Sequence, residues 1–180
     1  MEFIDYPKTP RLFRKITISE KIDGTCCALY ITEDEIVAAG RNKFITPEND
    51  SFGFATWAHI NSKTLREDLG LGIHRGEWAG AGIQRKYGLT NNNKTFYLFN
   101  TSKWQYTNFI TPGLDVVPVL YEGDFSTVYV NSALEMLKAF GSVAVPGFMR
   151  PEGVCVYHEA ANMVFKVLIE NDNLPKGKVK

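Results

Sequence analysis

Apolar residues recur along most of this chain in short alternating runs, each closed by Gly, Pro, Asn or Asp. Period-two alternation is the mark of a half-buried strand, and turn residues at that spacing force the chain back on itself. "RKITIS", "CCALYI" and "EIVAAG" read as three successive strands, with Glu33-Asp34 as the hairpin turn between the second and third. "IHRGEWAG", "TFYLFN", "LDVVPVLYEG", "GVCVYH" and "NMVFKVLIE" continue the series, the proline of the third at a strand edge or end. Two stretches break the rule. "FGFATWAHINSKTLREDLG" has helical spacing, with Asp50 or Ser51 as cap and Gly70 as stop. "NSALEMLKAFG" reads as a shorter helix capped by Asn131 or Ser132 and ended by Gly141. "RNKFITPENDS" and "TNNNK" read as loops. Mostly strands with two interrupting helices is the pattern of an α+β fold with mainly antiparallel sheets.

The chain has 180 residues, 44% of them hydrophobic. That length predicts a single domain over 1–180, with 1–12 and 173–180 irregular. Twenty basic and twenty acidic residues cancel. This argues against a large non-specific nucleic-acid surface and leaves room for a local basic groove. Cys26, Cys27 and Cys155 form no disulfide framework or metal-ligand spacing, and read as buried strand residues in a reducing compartment. No apolar run nears the roughly 20 residues that span a membrane. The N-terminus "MEFIDYPKTPRLFRK" lacks the apolar core of a secretory signal. The expected location is cytoplasmic, with no membrane partner.

"SEKIDGT" follows the first strand directly. A lysine of ordinary pKa, roughly 10.4, is a poor nucleophile at neutral pH. It becomes one where its surroundings favour the neutral amine. Lys21 at a strand end, with Gly24 close behind, allows a substrate to approach closely. Those residues alone also suit a solvated turn.

The rest of the chain adds a resemblance. "EKIDGT" resembles the lysine nucleophile motif of the covalent nucleotidyltransferases, the superfamily of ATP-dependent polynucleotide ligases and capping enzymes. "GRNKFITPENDSFGFATW", "GEWAGAGIQ", "TFYLFN", "PEGVCVY" and "MVFKVLIEND" resemble, in order, the later motifs of its phage-rich RNA ligase branch. The likeness runs from about Lys15 to Asp172. It implies a nucleotidyltransferase (ATP-grasp-like ligase) core of antiparallel sheets flanked by helices. It also implies an ATP-dependent ligase that joins 5′-phosphate and 3′-hydroxyl ends through a lysyl–AMP intermediate.

The resemblance assigns Lys21 as nucleophile and sets Glu20 beside the adenine. Arg41 would contact the ribose or the incoming phosphate, which a planar fork of donors suits. Glu77 would accept from ribose hydroxyls or help hold a metal. Phe99 would stack on the adenine face, although Phe96 or Tyr97 could also present the ring. Glu152 would bind Mg²⁺ or Mn²⁺, and Lys166 would face the α-phosphate. Lys166 projects to the opposite side of its strand from Phe165 and Val167. His59, His74 and His158 share no spacing and read as structural.

Three departures stand out. Many relatives carry K-x-K in the last motif, but Val164 and Leu168 flank Lys166 here. Asn100 follows Phe99 where relatives often have Glu. The sequence stops soon after the last motif, so no appended OB or other C-terminal domain is expected. The implied partners are nucleic acid, as RNA ends, nicked duplex or DNA, and a possible separate strand-binding protein. The alternatives are a minimal DNA or dual-specificity ligase, or a non-catalytic strand-end-binding module. The basic run "PKTPRLFRK" could track strand phosphates or be a solvated terminus.

Overall fold

A computed structural model describes residues 2–50, 52–90 and 92–173. Residues 2–14 carry no helix or strand, and the expectation for the C-terminal tail falls, from residue 174, outside the described residues. β1 (Lys15–Lys21), β2 (Thr25–Ile31), β3 (Ile36–Ala39) and β4 (Phe44–Ile45) lead into α1 (Phe54–Ile60) and α2 (Ser62–Leu69). β5 (Gly72–Gly80), β6 (Lys94–Leu98), α3 (Thr101–Trp104), β7 (Leu114–Val116) and β8 (Val119–Asp124) follow. α4 (Thr127–Phe140), β9 (Gly153–His158) and β10 (Met163–Leu168) complete the order. Among the described residues, no helix is long and apolar enough to cross a membrane.

The strands form two sheets. One has the order β10-β9-β1-β8, the other β4-β3-β2-β5-β6-β7. All pairings are antiparallel except β6 with β7. The six-stranded sheet packs α1 and α2 against Leu29, Trp78, Phe96 and Leu98. The four-stranded sheet packs α4 against Ile16, Ile18, Val154 and Val156. Each sheet thus buries one face under helices, the α+β arrangement expected from the alternating runs.

β1 and β2 lie in different sheets, although Ile22-Asp23-Gly24 alone separates them. The chain crosses back at Val117-Pro118, between β7 and β8. The two crossings meet: the Glu20 amide donates to the Pro118 carbonyl at 2.9 Å. Ile22 and Val117 share a small core with Ala79, Tyr87 and Tyr97. The seam leaves no room at Gly24, where a Cβ would lie 2.4 Å from the Trp78 carbonyl oxygen.

Several elements differ from the sequence-based expectation. "LDVVPVLYEG" is two strands, not one, because Pro118 has no N–H for a ladder and marks the sheet switch. The first helix divides at Asn61, whose side-chain amide donates to the Trp57 carbonyl at 2.8 Å in competition with the helical ladder. α4 starts earlier than "NSALEM", capped by Ser126 rather than Asn131 or Ser132. The segment "RNKFITPENDS" holds the short strand β4 and a 3-10 turn over Pro47–Asn49. Asp50 does accept amides ahead of α1, from Gly53 at 2.9 Å and Thr56 at 3.1 Å.

The seam gives the first prediction. Gly24→Ala should destabilise by about 1–3 kcal/mol, because the clash is with rigid backbone. At roughly 2–4 °C per kcal/mol, thermal melting should show a clear drop. Gly40→Ala, whose Cβ would meet nothing nearer than 3.9 Å, should melt close to the parent. Equal melting of the two variants would remove the steric argument.

Candidate active site

Alternation along β1 sets Ile16, Ile18 and Glu20 toward α4 and sends Thr17, Ser19 and Lys21 to the other face. Register carries that face across the sheet. Ser19 pairs with Cys155, and Cys155 pairs with Lys166. Lys21 and Lys166 therefore project from the same side, as do Val164 and Leu168. In the other sheet Cys26, Glu77 and Tyr97 form a row on the face turned from the α1–α2 core. The three-residue crossing brings the Lys21 end of β1 against that row.

Lys21 meets Glu152 at 2.5 Å, Nζ to Oε2, with 21% and 17% of the two side chains exposed. Burial pulls the ammonium's pKa down, but the hydrogen bond and charge of Glu152 outweigh it and leave Lys21 above its ordinary value. Burial pushes Glu77 up to about 7, against the pull of Lys21 and of a hydrogen bond from the Gly24 backbone. Asp23 is also raised, by burial first and then by Glu152, and Arg85 opposes the shift from 3.2 Å. The result is three carboxylates, an ammonium and a guanidinium around one seam. Among the described residues, no three His, Cys, Asp or Glu side chains converge to hold a metal unaided. A hard ion that takes one or two carboxylates and completes its shell with phosphate oxygens and water fits this donor set.

The expected site residues divide. Lys21, Glu77 and Glu152 come together at the seam, and Lys166 projects exposed from the same sheet face as Lys21, two strands away. Of the three candidate rings only Phe99 is exposed: Phe96 is 0% exposed, Tyr97 2% and Phe99 44%. Its amide donates to the Arg75 carbonyl, just beyond β6.

Glu20 is a correction. Its carboxylate is 1% exposed and points away from Lys21. It accepts from the Tyr87 hydroxyl at 2.5 Å and from the Val143 and Ala144 amides at 2.8 and 3.0 Å. A side chain so occupied is not free for an adenine. Arg41 is exposed between β3 and β4, with no hydrogen bond or ion pair to the described residues of the cluster.

The cysteines also differ from expectation. Cys27 is buried, but Cys26 and Cys155 are half-buried and line the two facing surfaces. His74 and His158 are structural, bonded to the carbonyls of Gly70 and Leu12. Sequence reasoning missed Asp23, Arg85 and Tyr87. Asp23 lay in the quoted motif, and Arg85 and Tyr87 close the glycine-rich segment that follows Glu77.

The model of the RNA ligase family matches residues 14–168. Solved structures of a Naegleria gruberi RNA ligase share the fold. An arginine-to-alanine mutant with ATP and Mn is 21% identical, with a TM-score of 0.63, over 88% of this chain and 51% of that one. A glutamate-to-alanine mutant with AMP and Mn is 20% identical, with a TM-score of 0.60, over 87% and 50%. The chain thus spans about half the length of these structures. No curated protein matches it.

Glu77 supplies a pH prediction. Its folded pKa, about 7, exceeds its ordinary value of 4.5. Its stabilising contribution is therefore complete below about pH 4.5 and is lost as pH rises through about 7. Glu77→Gln should raise the melting temperature at pH 8.5, at roughly 2–4 °C per kcal/mol recovered, and change it little at pH 4.5. Parallel melting curves for parent and variant across that range would contradict the assignment.

Proposed function

The chain belongs to the RNA ligase family, and we propose that it is an ATP-dependent RNA ligase acting through Lys21 as one adenylyltransferase domain. The observation that carries this reading is the half-buried Lys21–Glu152 contact at the seam, with Glu77 and Lys166 on the same facing surfaces. The amine of Lys21 attacks the α-phosphorus of ATP. An N–P bond forms, the bond to pyrophosphate breaks, and the lysine loses a proton. The 5′-phosphate of the strand then takes the AMP, and Lys21 regains its proton. Attack by the 3′-hydroxyl forms the phosphodiester and releases AMP.

Each displacement needs in-line positioning and relief of negative charge. Glu152 touches the proton that Lys21 must give up. Lys166 adds a positive charge on the same face. Glu77, near neutral pKa, can donate to or accept from ribose hydroxyls. Phe99 presents an exposed ring for stacking on the base. A divalent ion of the Mg²⁺ or Mn²⁺ type, drawing on Glu152, would neutralise phosphate charge and relieve the contact that keeps Lys21 protonated.

A cleft of about 560 Å³ opens beside Pro151 and is lined by Arg85, Lys138 and Arg150, with Glu170 as its acid. We assign it to strand phosphates. The match to the RNA ligase family supports RNA as the strand. The three free thiols fit a reducing, cytoplasmic setting.

With ATP and Mg²⁺, intact-mass measurement should show one AMP adduct on the parent and none on Lys21→Ala. No adduct with Mg²⁺ or Mn²⁺, or an adduct that survives Lys21→Ala, would sink the mechanism. GTP in parallel separates ligase from capping chemistry, and nicked or single-stranded RNA and DNA test strand preference.

The cleft makes a separate prediction. Arg150→Ala should weaken strand binding to the same degree across sequences and reduce the slope of log K against log salt by about one. An unchanged slope would remove Arg150 from the strand path.

A further inference from the structure

Glu20 is a carboxylate buried beside the nucleophile yet turned from it. A buried carboxylate is costly unless hydrogen-bonded, and an apolar side chain is often the cheaper occupant of such a place. Ile16 and Ile18 precede Glu20 on the same face of β1 and pack the α4 core. A leucine would extend that row. What the carboxylate adds is a set of specific ties.

Its Oε1 accepts from the Tyr87 hydroxyl, and the Tyr87 hydroxyl oxygen also lies 3.3 Å from the Lys21 backbone carbonyl. Tyr87 thus bridges the carboxylate and the main chain of the nucleophile itself. Oε2 accepts from the Val143 and Ala144 amides. Those residues open the loop that runs from Gly141, at the end of α4, to Glu152. The Tyr87 ring packs on Phe148 of the same loop, with centroids 4.7 Å apart. The far end of the loop delivers Glu152 to Lys21. Both members of the Lys21–Glu152 contact are therefore held from behind by one carboxylate and one phenol.

The segment that brings Tyr87 in is strained. Gln84, Lys86 and Tyr87 have φ of 41°, 60° and 41°, in the region L side chains avoid. Arg85, between them, pairs with Asp23 on the crossing. Such conformations persist where the surroundings over-determine them. Here Tyr87 is fully buried and anchored by Glu20.

We propose that Glu20 is a positioning residue. With Tyr87 and the amides of Val143 and Ala144, it forms a latch that sets Lys21 against Glu152 for attack on phosphorus. The inference rests on the reading of Lys21 as the AMP acceptor. It assigns Glu20 to the rate of the chemical step and not to recognition of the adenine.

The test is single-turnover formation of lysyl–AMP against ATP concentration in Tyr87→Phe, Glu20→Ala and Glu20→Gln, well below each melting temperature. A misplacement near 1 Å can cost about a hundredfold in rate. Glu20→Ala should therefore lower the maximal rate about a hundredfold and Tyr87→Phe about tenfold. The ATP concentration at half-saturation should stay within about threefold. Glu20→Gln, which can still accept the loop amides and bond Tyr87, should recover most of the rate. Tyr87→Phe keeps the ring and packing, so it carries the test if Glu20→Ala does not fold.

Maximal rates within about threefold of the parent would overturn the latch. So would a raised half-saturation at unchanged maximal rate, which would return Glu20 to the nucleotide. A second readout needs no ATP turnover: the rate at which an amine-reactive acylating reagent labels Lys21, followed by peptide mass mapping. Loosening the latch should speed labelling in Tyr87→Phe. If the parent forms no lysyl–AMP, the ligase reading fails by itself, and unchanged Lys21 labelling then overturns the latch independently.

Discussion

The close approach at Gly24 governs how the two sheets meet. The chain passes from β1 to β2 in three residues, and a side chain at the third would strike the Trp78 carbonyl. With no side chain there, the end of β1 lies against β5, and the Gly24 backbone sits beside the Glu77 side chain. Lys21 is the last residue of β1 before that crossing, so its place is a consequence of the seam. The return crossing at Val117-Pro118 locks the same spot through the Glu20 amide. Two backbone crossings, rather than a flexible loop, position Lys21. Rigid elements hold reactive groups more accurately than loops do.

The electrostatics of the seam follow from that geometry. Bringing two sheet faces together removes water from Asp23, Glu77 and Lys21, and desolvation is the largest influence on each. For the carboxylates the sign is upward, and for the lysine it is downward. Glu152 reverses the balance at Lys21 because its contact is short and sheltered. Lys21 is thus held as a paired ammonium. A group that competes for Glu152 leaves burial as the dominant influence on Lys21, and burial favours the neutral amine.

Much of this was legible in the chain. Period-two runs marked most of the strands, and "EKIDGT" marked the lysine. The residues that escaped are those set by contacts distant in sequence. Arg85 pairs with Asp23 across the seam, and no local pattern announces such a pair. Tyr87 sits in left-handed backbone that its residue type disfavours. Phe96, Tyr97 and Phe99 could not be separated by type, because alternation shows which residues share a face and not how far the neighbouring sheet covers it. Glu20 is different. It stands in phase with Ile16 and Ile18, so the period that identified the strand already placed it on the buried face. Adjacency to Lys21 in the motif was the weaker argument.

The departures from the family pattern now have physical content. Asn100 follows Phe99 where relatives often carry Glu, and its side chain is committed elsewhere. It accepts from the Lys103 amide at 3.3 Å and the Ser102 hydroxyl at 2.8 Å, capping α3. Its carbonyl oxygen therefore serves the fold beside the site. Val164 and Leu168 leave Lys166 as the one cation on that face of β10, and β10 is the open edge of its sheet. Arg85 lies at the seam but is engaged by Asp23. Unpaired positive charge on the sheet face that carries Lys21 thus comes from Lys166. As the proposed AMP acceptor, Lys21 would surrender its own charge on reacting. Its position must then be held by something other than its own ion pair. A latch through Glu20 and Tyr87 meets that requirement, because its hydrogen bonds persist when the Lys21–Glu152 contact is broken.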